Sequence, residues 1–304
     1  MVTISLIGEQ PIPNLLPIRY QPPEVAVLVY TDLTEAAAER LKRLLPEGCR
    51  VVPCLVCAYD IQKIVHILQA LIEKHGWTAD DLLFNLTGGT KAMALAAYLV
   101  AGNHKASFLY LQSEGKQTRL YRYEFDASGI PRVSVNRLLP GLITIDDYLR
   151  AYVDDYQLMG FAGDDAGGLF ERAIYEALEP VVDEIVAGAR LLGALDVDLV
   201  VRCENQVGII EAKTGPGVKK GIDQLNTAGG QHYLGTYTRK MLVSDQCWDE
   251  SRSNLRELAE ARRIQVVELP SFHTAKRLSS EDVEQLQRTV CEQLGRRIGG
   301  DYAA

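Results

Sequence analysis

The feature that most restricts the fold is the alternation of short, unbroken apolar runs with amphipathic segments through the first half of the chain. The run VAVLVY at Val25–Tyr30 carries no polar alternation, as expected of a strand buried on both faces of a parallel sheet. Comparable strands are predicted at 2–7, 50–56, 82–86, 106–111 and 120–125. Helices are predicted between them. Thr34 caps one that runs to about residue 45, and Asp60 caps a second whose apolar stripe is Ile61, Ile64, Val65, Leu68, Leu71 and Ile72. A third, Ala-rich helix follows TGGTK and ends near residue 101. The segment GEQPIPNLLPIRYQPP, with its five prolines, reads as a loop. This alternation predicts a doubly wound, Rossmann-like sheet.

The second half has a different rhythm. A glycine-rich stretch, MGFAGDDAGG, enters a helix at 169–178, and two strands follow at 196–202 and 207–213. A helix near 222–225, a strand at 240–243, a helix at 254–262, a strand at 265–269 and a helix at 281–294 complete the pattern. At 304 residues the chain has room for two cores. The expected division is 1–140 for the first domain, 141–160 for a linker containing Pro140's neighbour Gly141, and 161–304 for the second domain.

Several function classes are disfavoured. The longest apolar stretch, 92–101, is too short to span a bilayer, and the N-terminus lacks a basic region with a cleavage site, so no membrane role and a cytoplasmic location are expected. Only Cys54 and Cys57 of the six cysteines form a CxxC, and the five histidines are scattered, which leaves no zinc pattern. The net charge of −8 opposes a nucleic-acid partner, but it is concentrated: residues 146–198 carry thirteen acidic and three basic side chains.

The segment LDVDLVVRCENQVGIIEAK, 195–213, carries chemistry. A tight turn at Glu204-Asn205 would pair Asp198 with Glu211 and Asp196 with Lys213, all four on one face, with opposed Cβ atoms about 5 Å apart. Facing buried carboxylates repel, and a divalent cation relieves that repulsion. Hard oxygen ligands suit Mg²⁺ or Mn²⁺, which would polarise a phosphate and acidify a water, while a lysine beside the ion stabilises developing negative charge. On this spacing Asp198 and Asp196 both stand as ligand candidates, Asp196 if the register differs. Upstream, Glu171 sits at the margin of a stripe formed by Phe170, Ala173, Ile174, Ala177 and Leu178. It either reaches the ion or is a solvated glutamate of the first turns. Gln224 is a weaker candidate for a phosphate or substrate contact. The alternative for the whole segment is an ordinary hairpin with a salt-bridged polar face.

LFNLTGGTKAMALAAY, 83–98, is the other informative segment. A strand runs into a glycine turn that opens a helix, an arrangement whose backbone amides and dipole favour phosphate. Thr87 and Thr90 add hydroxyls and Lys91 a charge. Neither GxxxxGK nor GxGxxG is present, which argues against NTP hydrolysis and dinucleotide redox chemistry.

Residues 169–225 resemble the PD-(D/E)xK nuclease core of restriction enzymes and archaeal junction resolvases. The resemblance implies Glu171, Asp198, Glu211 and Lys213 as catalytic residues, with Asp198, Glu211 and Glu171 holding Mg²⁺ or Mn²⁺. Residues 1–140 resemble a CARF domain, the Rossmann-fold sensor of cyclic oligoadenylates in type III CRISPR defence, on the strength of GEQPIPNLLP and NLTGGTK. That resemblance implies a homodimer with the cyclic ligand, cyclic tetra-adenylate foremost, on the two-fold axis, and contacts from Asn14, Thr31, Thr87, Gly88, Gly89, Thr90 and Lys91. The expected fold is therefore α/β, a Rossmann-like CARF sensor followed by a restriction-endonuclease-like domain. The expected function is ligand-activated, metal-dependent cleavage of DNA or RNA. Two rivals are a sensing module without nuclease activity, which would want a helix-turn-helix that is not found, and a ring nuclease acting on the cyclic ligand, which would want a general base beside TGGTK.

Overall fold

In the computed structural model of the protein, which describes residues 1–114, 116–161, 163–230, 233–248 and 253–296, the apolar run at Val25–Tyr30 is an inner strand. Residue 162 of the glycine-rich stretch and 297–304 of the expected second domain lie outside the described residues. The chain divides into two units, Met1–Ile143 and Thr144–Ala304.

The first unit contains β1 (Val2–Leu6), α1 (Ile12–Tyr20), β2 (Val25–Tyr30), α2 (Glu35–Arg43), β3 (Arg50–Leu55), α3 (Ile61–His75), β4 (Leu82–Asn85), α4 (Lys91–His104), β5 (Ser107–Glu114), β6 (Gln117–Phe125) and β7 (Pro131–Leu138). Its sheet has the order β3-β2-β1-β4-β5-β6-β7. The first five strands are parallel, and β6 and β7 are antiparallel additions. The strand order reverses between β1 and β4, which is where open α/β sheets receive ligands. The core beneath it joins Ile4, Val27 and Phe84 to Ile64 and Leu68 of α3 and to Met93 and Val100 of α4.

Two features of this unit depart from expectation. The five-proline loop contains α1: Pro13 falls in its first turn, where a missing N–H is harmless, and Ile12, Leu15, Leu16 and Ile18 are buried. The strand β7 was not expected. Its side chains are mostly exposed, so it has no strong apolar alternation to read.

The second unit contains α5 (Ile145–Tyr152), β8 (Tyr156–Leu158), α6 (Ala166–Leu178), β9 (Glu184–Leu191), β10 (Leu195–Cys203), β11 (Gln206–Lys213), α7 (Val218–Ala228), β12 (Arg239–Ser244), α8 (Ser253–Ala261), β13 (Ile264–Glu268), α9 (Pro270–Ala275) and α10 (Ser280–Gln293). The sheet order is β13-β12-β11-β10-β9-β8. Strands β8 to β11 are antiparallel, and β11, β12 and β13 are parallel. Phe170 and Ile174 of α6, Phe272 of α9 and Leu286 and Val290 of α10 pack on Leu199, Val201, Ile210, Ala212 and Val243.

Most of the stretch expected as a linker, 141–160, is built into this unit. Thr144 caps α5 by accepting the Asp147 amide at 3.0 Å, and Ile145, Tyr148, Leu149 and Tyr152 are buried. The Tyr148 hydroxyl donates to the Leu234 carbonyl at 3.1 Å and lies 2.7 Å from the Thr238 hydroxyl. An apolar stripe at helical spacing turns what reads as a connection into part of a core.

Candidate functional site

The hairpin of β10 and β11 has the expected register. Leu199 pairs with Ile210 and Cys203 with Gln206, around a turn in which Glu204 has φ 54°. The paired ladder stops at Leu199, so the expected rungs Asp198–Glu211 and Asp196–Lys213 are not formed. Instead, the Asp198 carboxylate accepts the Ala212 amide at 2.8 Å, a side chain taking a backbone donor.

Alternation along the strands then fixes the faces. Ile210 and Ala212 enter the core with α6, so Glu211 and Lys213 project toward α7. Asp198 lies on the same side, because the Lys213 ammonium donates to Glu211 Oε1 and is 3.7 Å from Asp198 Oδ2. Glu211 is 1% exposed at its side chain, Asp198 17% and Lys213 19%. Helix α7 packs directly over them. A Cβ on Gly221 would meet Leu242 Cδ1 at 2.8 Å and Lys213 Cγ at 3.1 Å, so glycine is what allows the approach.

The electrostatics follow from burial. Loss of solvent, then the Asp198 charge, pushes the Glu211 carboxyl up to about 8, against the opposing pull of Lys213. Burial likewise raises Asp198, with Lys213 opposing. Burial works against the charged form of Lys213, yet the Glu211 and Asp198 charges outweigh it and hold the ammonium above its ordinary range. Asp196 is separated from this cluster: Arg190, opposite it on β9, grips both its oxygens at 2.7 and 3.1 Å and lowers its pKa.

The donor set fits a hard divalent cation in chemistry. Asp198 and Glu211 offer oxygens side by side, and Mg²⁺ commonly takes only one or two carboxylates, with water or phosphate completing its shell. A second observation agrees. The Gln224 Oε1, on the α7 face that also carries Gly221, is buried with no hydrogen-bond partner among the described residues. Glu171 is buried on α6, and its charge adds to the raising of both Glu211 and Lys213. Among the described residues no three His, Cys, Asp or Glu side chains are gathered as metal ligands. Helix α6, which carries Glu171, packs through Phe170 and Ile174 on the face of the sheet that holds Ile210 and Ala212.

In the first unit, TGGTK lies after β4 at the reversal of strand order, against the turn after β1. A Cβ on Gly8 would be 3.0 Å from the Gly89 nitrogen, and one on Gly88 would be 2.1 Å from the Leu6 carbonyl oxygen. A buried polar chain holds the loop. Asn14 donates to the Leu6 carbonyl at 3.1 Å, and Asn85 donates to Asn14 Oδ1 at 3.1 Å. Thr87 donates to Asn85 Oδ1 at 2.7 Å and accepts the Leu111 amide at 2.9 Å. Thr90 donates to the Ala58 carbonyl at 2.6 Å and caps α4 by accepting the Met93 amide at 3.2 Å.

These partners divide the expected ligand contacts. Asn14 is fully buried and shapes the loop from beneath. Thr31 is buried too, and its amide and hydroxyl face the Thr34 hydroxyl at 3.0 and 3.3 Å. The hydroxyl protons of Thr87 and Thr90 are used within the protein. Gly89 and Lys91 are exposed, and Gly88 is partly so.

Sequence reasoning missed Asn85, whose only signal is a polar residue closing an apolar strand. It also missed a pair at the end of β12. Asp245, 2% exposed, accepts the Gly215 amide at 2.8 Å and lies 3.0 Å from His273 Nδ1. Nothing in the sequence links positions 245 and 273.

Residues 2–148 match the family model described as the Card1 CARF domain. No curated protein matches the chain. Among solved structures, Can2 from Sulfobacillus thermosulfidooxidans, in complex with cyclic tetra-adenylate, aligns with a TM-score of 0.71 at 14% identity over 96% of each chain. Protein VC1899 from Vibrio cholerae aligns with a TM-score of 0.69 at 14% identity, over 97% of this chain and 98% of its own. A type III CRISPR defence DNA nuclease activated by cyclic oligoadenylate aligns with a TM-score of 0.60 at 15% identity, over 86% of this chain and 51% of its own. At such identities the likeness is one of fold.

Proposed function

Given that the N-terminal unit is a Rossmann-like CARF domain of the Card1 kind, we propose that the chain is a nuclease of type III CRISPR defence that a cyclic oligoadenylate switches on. The observation that carries this reading is the pairing of Asp198 and Glu211 on one lysine at the open end of the β10–β11 hairpin. The solved relatives support it by what they bind or do: one holds cyclic tetra-adenylate and another is a DNA nuclease activated by cyclic oligoadenylate.

In this reading Asp198 and Glu211 hold Mg²⁺ or Mn²⁺, with Glu171 close by. The ion, when bound, polarises the scissile phosphate and acidifies a water. Lys213 keeps its proton, because two carboxylates face it, and offsets the negative charge that develops on the phosphate. Helix α7 shields the cluster from solvent, which strengthens each of these interactions. The substrate is DNA or RNA, read through its backbone.

The activator sits at the strand-order reversal, meeting the amides of Gly88 and Gly89, the rims of Thr87 and Thr90, and the Lys91 ammonium. The active form is a homodimer. Leu95 and Leu99, one helical turn apart on α4, are 55% and 50% exposed, an apolar face that a second copy would cover. A two-fold interface suits a cyclic tetra-adenylate, which has that symmetry itself. The test is cleavage of labelled DNA and RNA with Mn²⁺, with and without cyclic tetra-adenylate. Ligand-dependent cutting is expected, and Glu211→Ala should reduce it by roughly a hundredfold or more. A Glu211→Ala protein that cuts like wild type would remove the assignment.

A further inference from the structure

We infer that Tyr59 is a stacking platform for an adenine base of the activator, set beside the phosphate-binding turn TGGTK. This rests on the reading of the first unit as a sensor of cyclic oligoadenylate, and it adds the part of the site that meets a base.

The groups assigned to the activator so far are backbone amides, threonine rims and an ammonium. Groups of that kind position phosphates and carry little base preference. Unpaired bases are held by stacking on aromatic rings and by contacts to their edges.

The topology brings a ring to this place. Helices α3 and α4 share one face of the first sheet, with Ile64 and Leu68 of the one and Met93 and Val100 of the other in a single core. Both start at the carboxyl ends of strands that run in the same direction, α3 after β3 and α4 after β4. The loops that enter them touch. The Thr90 hydroxyl, within TGGTK, donates to the Ala58 carbonyl at 2.6 Å. Tyr59 is the next residue, with its Cα one peptide, about 3.8 Å, from that of Ala58.

The loop around Tyr59 is held at three points. Val56 donates its amide to the Tyr30 carbonyl at 2.9 Å on one side, and Asp60 caps α3 by accepting the Lys63 amide at 3.0 Å on the other. The Thr90 bond fixes the middle. On this pinned backbone Tyr59 is 80% exposed, more than any other tyrosine, phenylalanine or tryptophan of the described residues. None of the ring pairs formed among them includes it. A bare ring on a fixed loop is a preorganised face: a base that stacks there gains the contact without the cost of ordering the loop. In the proposed homodimer each copy supplies one ring, for bases related by the two-fold axis.

The test is equilibrium binding of cyclic tetra-adenylate to the full-length protein across a salt series, with dimer mass followed by light scattering. Y59A should bind at least ~10-fold more weakly, and Y59F, which keeps the ring, should match wild type. The salt slope of Y59A should equal that of wild type because no phosphate contact is lost, whereas K91Q should give a shallower slope. In Y59W the ligand should quench tryptophan emission beyond any change in wild type, whose tryptophans are Trp77 and Trp248. Y59A that binds like wild type, Y59F that binds as weakly as Y59A, or Y59W emission that ignores bound ligand would each overturn the platform. So would a fall in dimer mass in Y59A, which would make Tyr59 a contact between copies. Wild type that binds no cyclic oligoadenylate would remove the sensor reading and the platform with it. Wild type that binds through Tyr59 but never cuts would remove only the nuclease reading and leave the platform standing.

Discussion

At the residue scale, the proposed chemistry turns on Glu211. Burial and the Asp198 charge raise its carboxyl to about 8, so a cation bound there competes with a proton. Binding of Mn²⁺ should therefore release a proton below about pH 8, and apparent affinity should climb with pH and level off above that value. Calorimetry in buffers of different ionisation enthalpy reads the proton directly; no proton release at pH 7 would place the cation elsewhere. The same shift sets the sign of a stability effect. Glu211 binds its proton more tightly folded than unfolded, so its contribution to stability is lost as pH rises from the ordinary carboxylate range to about 8. Glu211→Gln should therefore be relatively more stable than wild type at pH 8 to 9 in the absence of metal, with the advantage gone near pH 4.

At the element scale, two close approaches are most sensitive. The turn after β4 can lie against β1 only because Gly88 has no side chain. Gly88→Ala should destabilise the sensor unit by about 1–3 kcal/mol, the range expected for a steric conflict in a packed site, and abolish cyclic tetra-adenylate binding. Thermal unfolding and ligand titration together check this. The second is the Asp245 tie. Asp245→Ala leaves the Gly215 amide and His273 without their acceptor and should cost about 1–3 kcal/mol. Hydrogen exchange should show that loss first in α9 and in the turn before α7. Uniform loss across the unit would mean that the tie is not local.

For the whole molecule, the exposed leucines of α4 offer the test of the proposed homodimer. Leu95→Lys with Leu99→Lys should leave the fold intact, since both side chains already face solvent, but should convert a dimer to a monomer by light scattering. Activation by cyclic tetra-adenylate should fall at least ~10-fold, because a site on a two-fold axis needs both copies. A monomeric wild type would remove this part of the reading. Activity titrated against cyclic tri-, tetra- and hexa-adenylate identifies the ring that fits.

Periodicity and turn chemistry were enough to place the parallel strands of the first unit and the β10–β11 register, because both depend on neighbours in sequence. The continuous apolar run of β2 and the turn at Glu204-Asn205 carry that information in a few residues. Three-dimensional packing decided the rest. α1 formed despite its prolines, since its leucines and isoleucines had a core to enter, and α5 joined the second unit for the same reason. The mostly exposed strand β7 left no periodic trace. At the sites, a side chain's role depended on which backbone group reached it first. Asp198 turned to the Ala212 amide, Asp196 to Arg190, and the threonines of TGGTK to Asn85, Leu111 and Ala58. A chain written in one dimension records which groups are available, whereas their partners are settled only when distant segments compete for the same hydrogen bonds in a space closed to water.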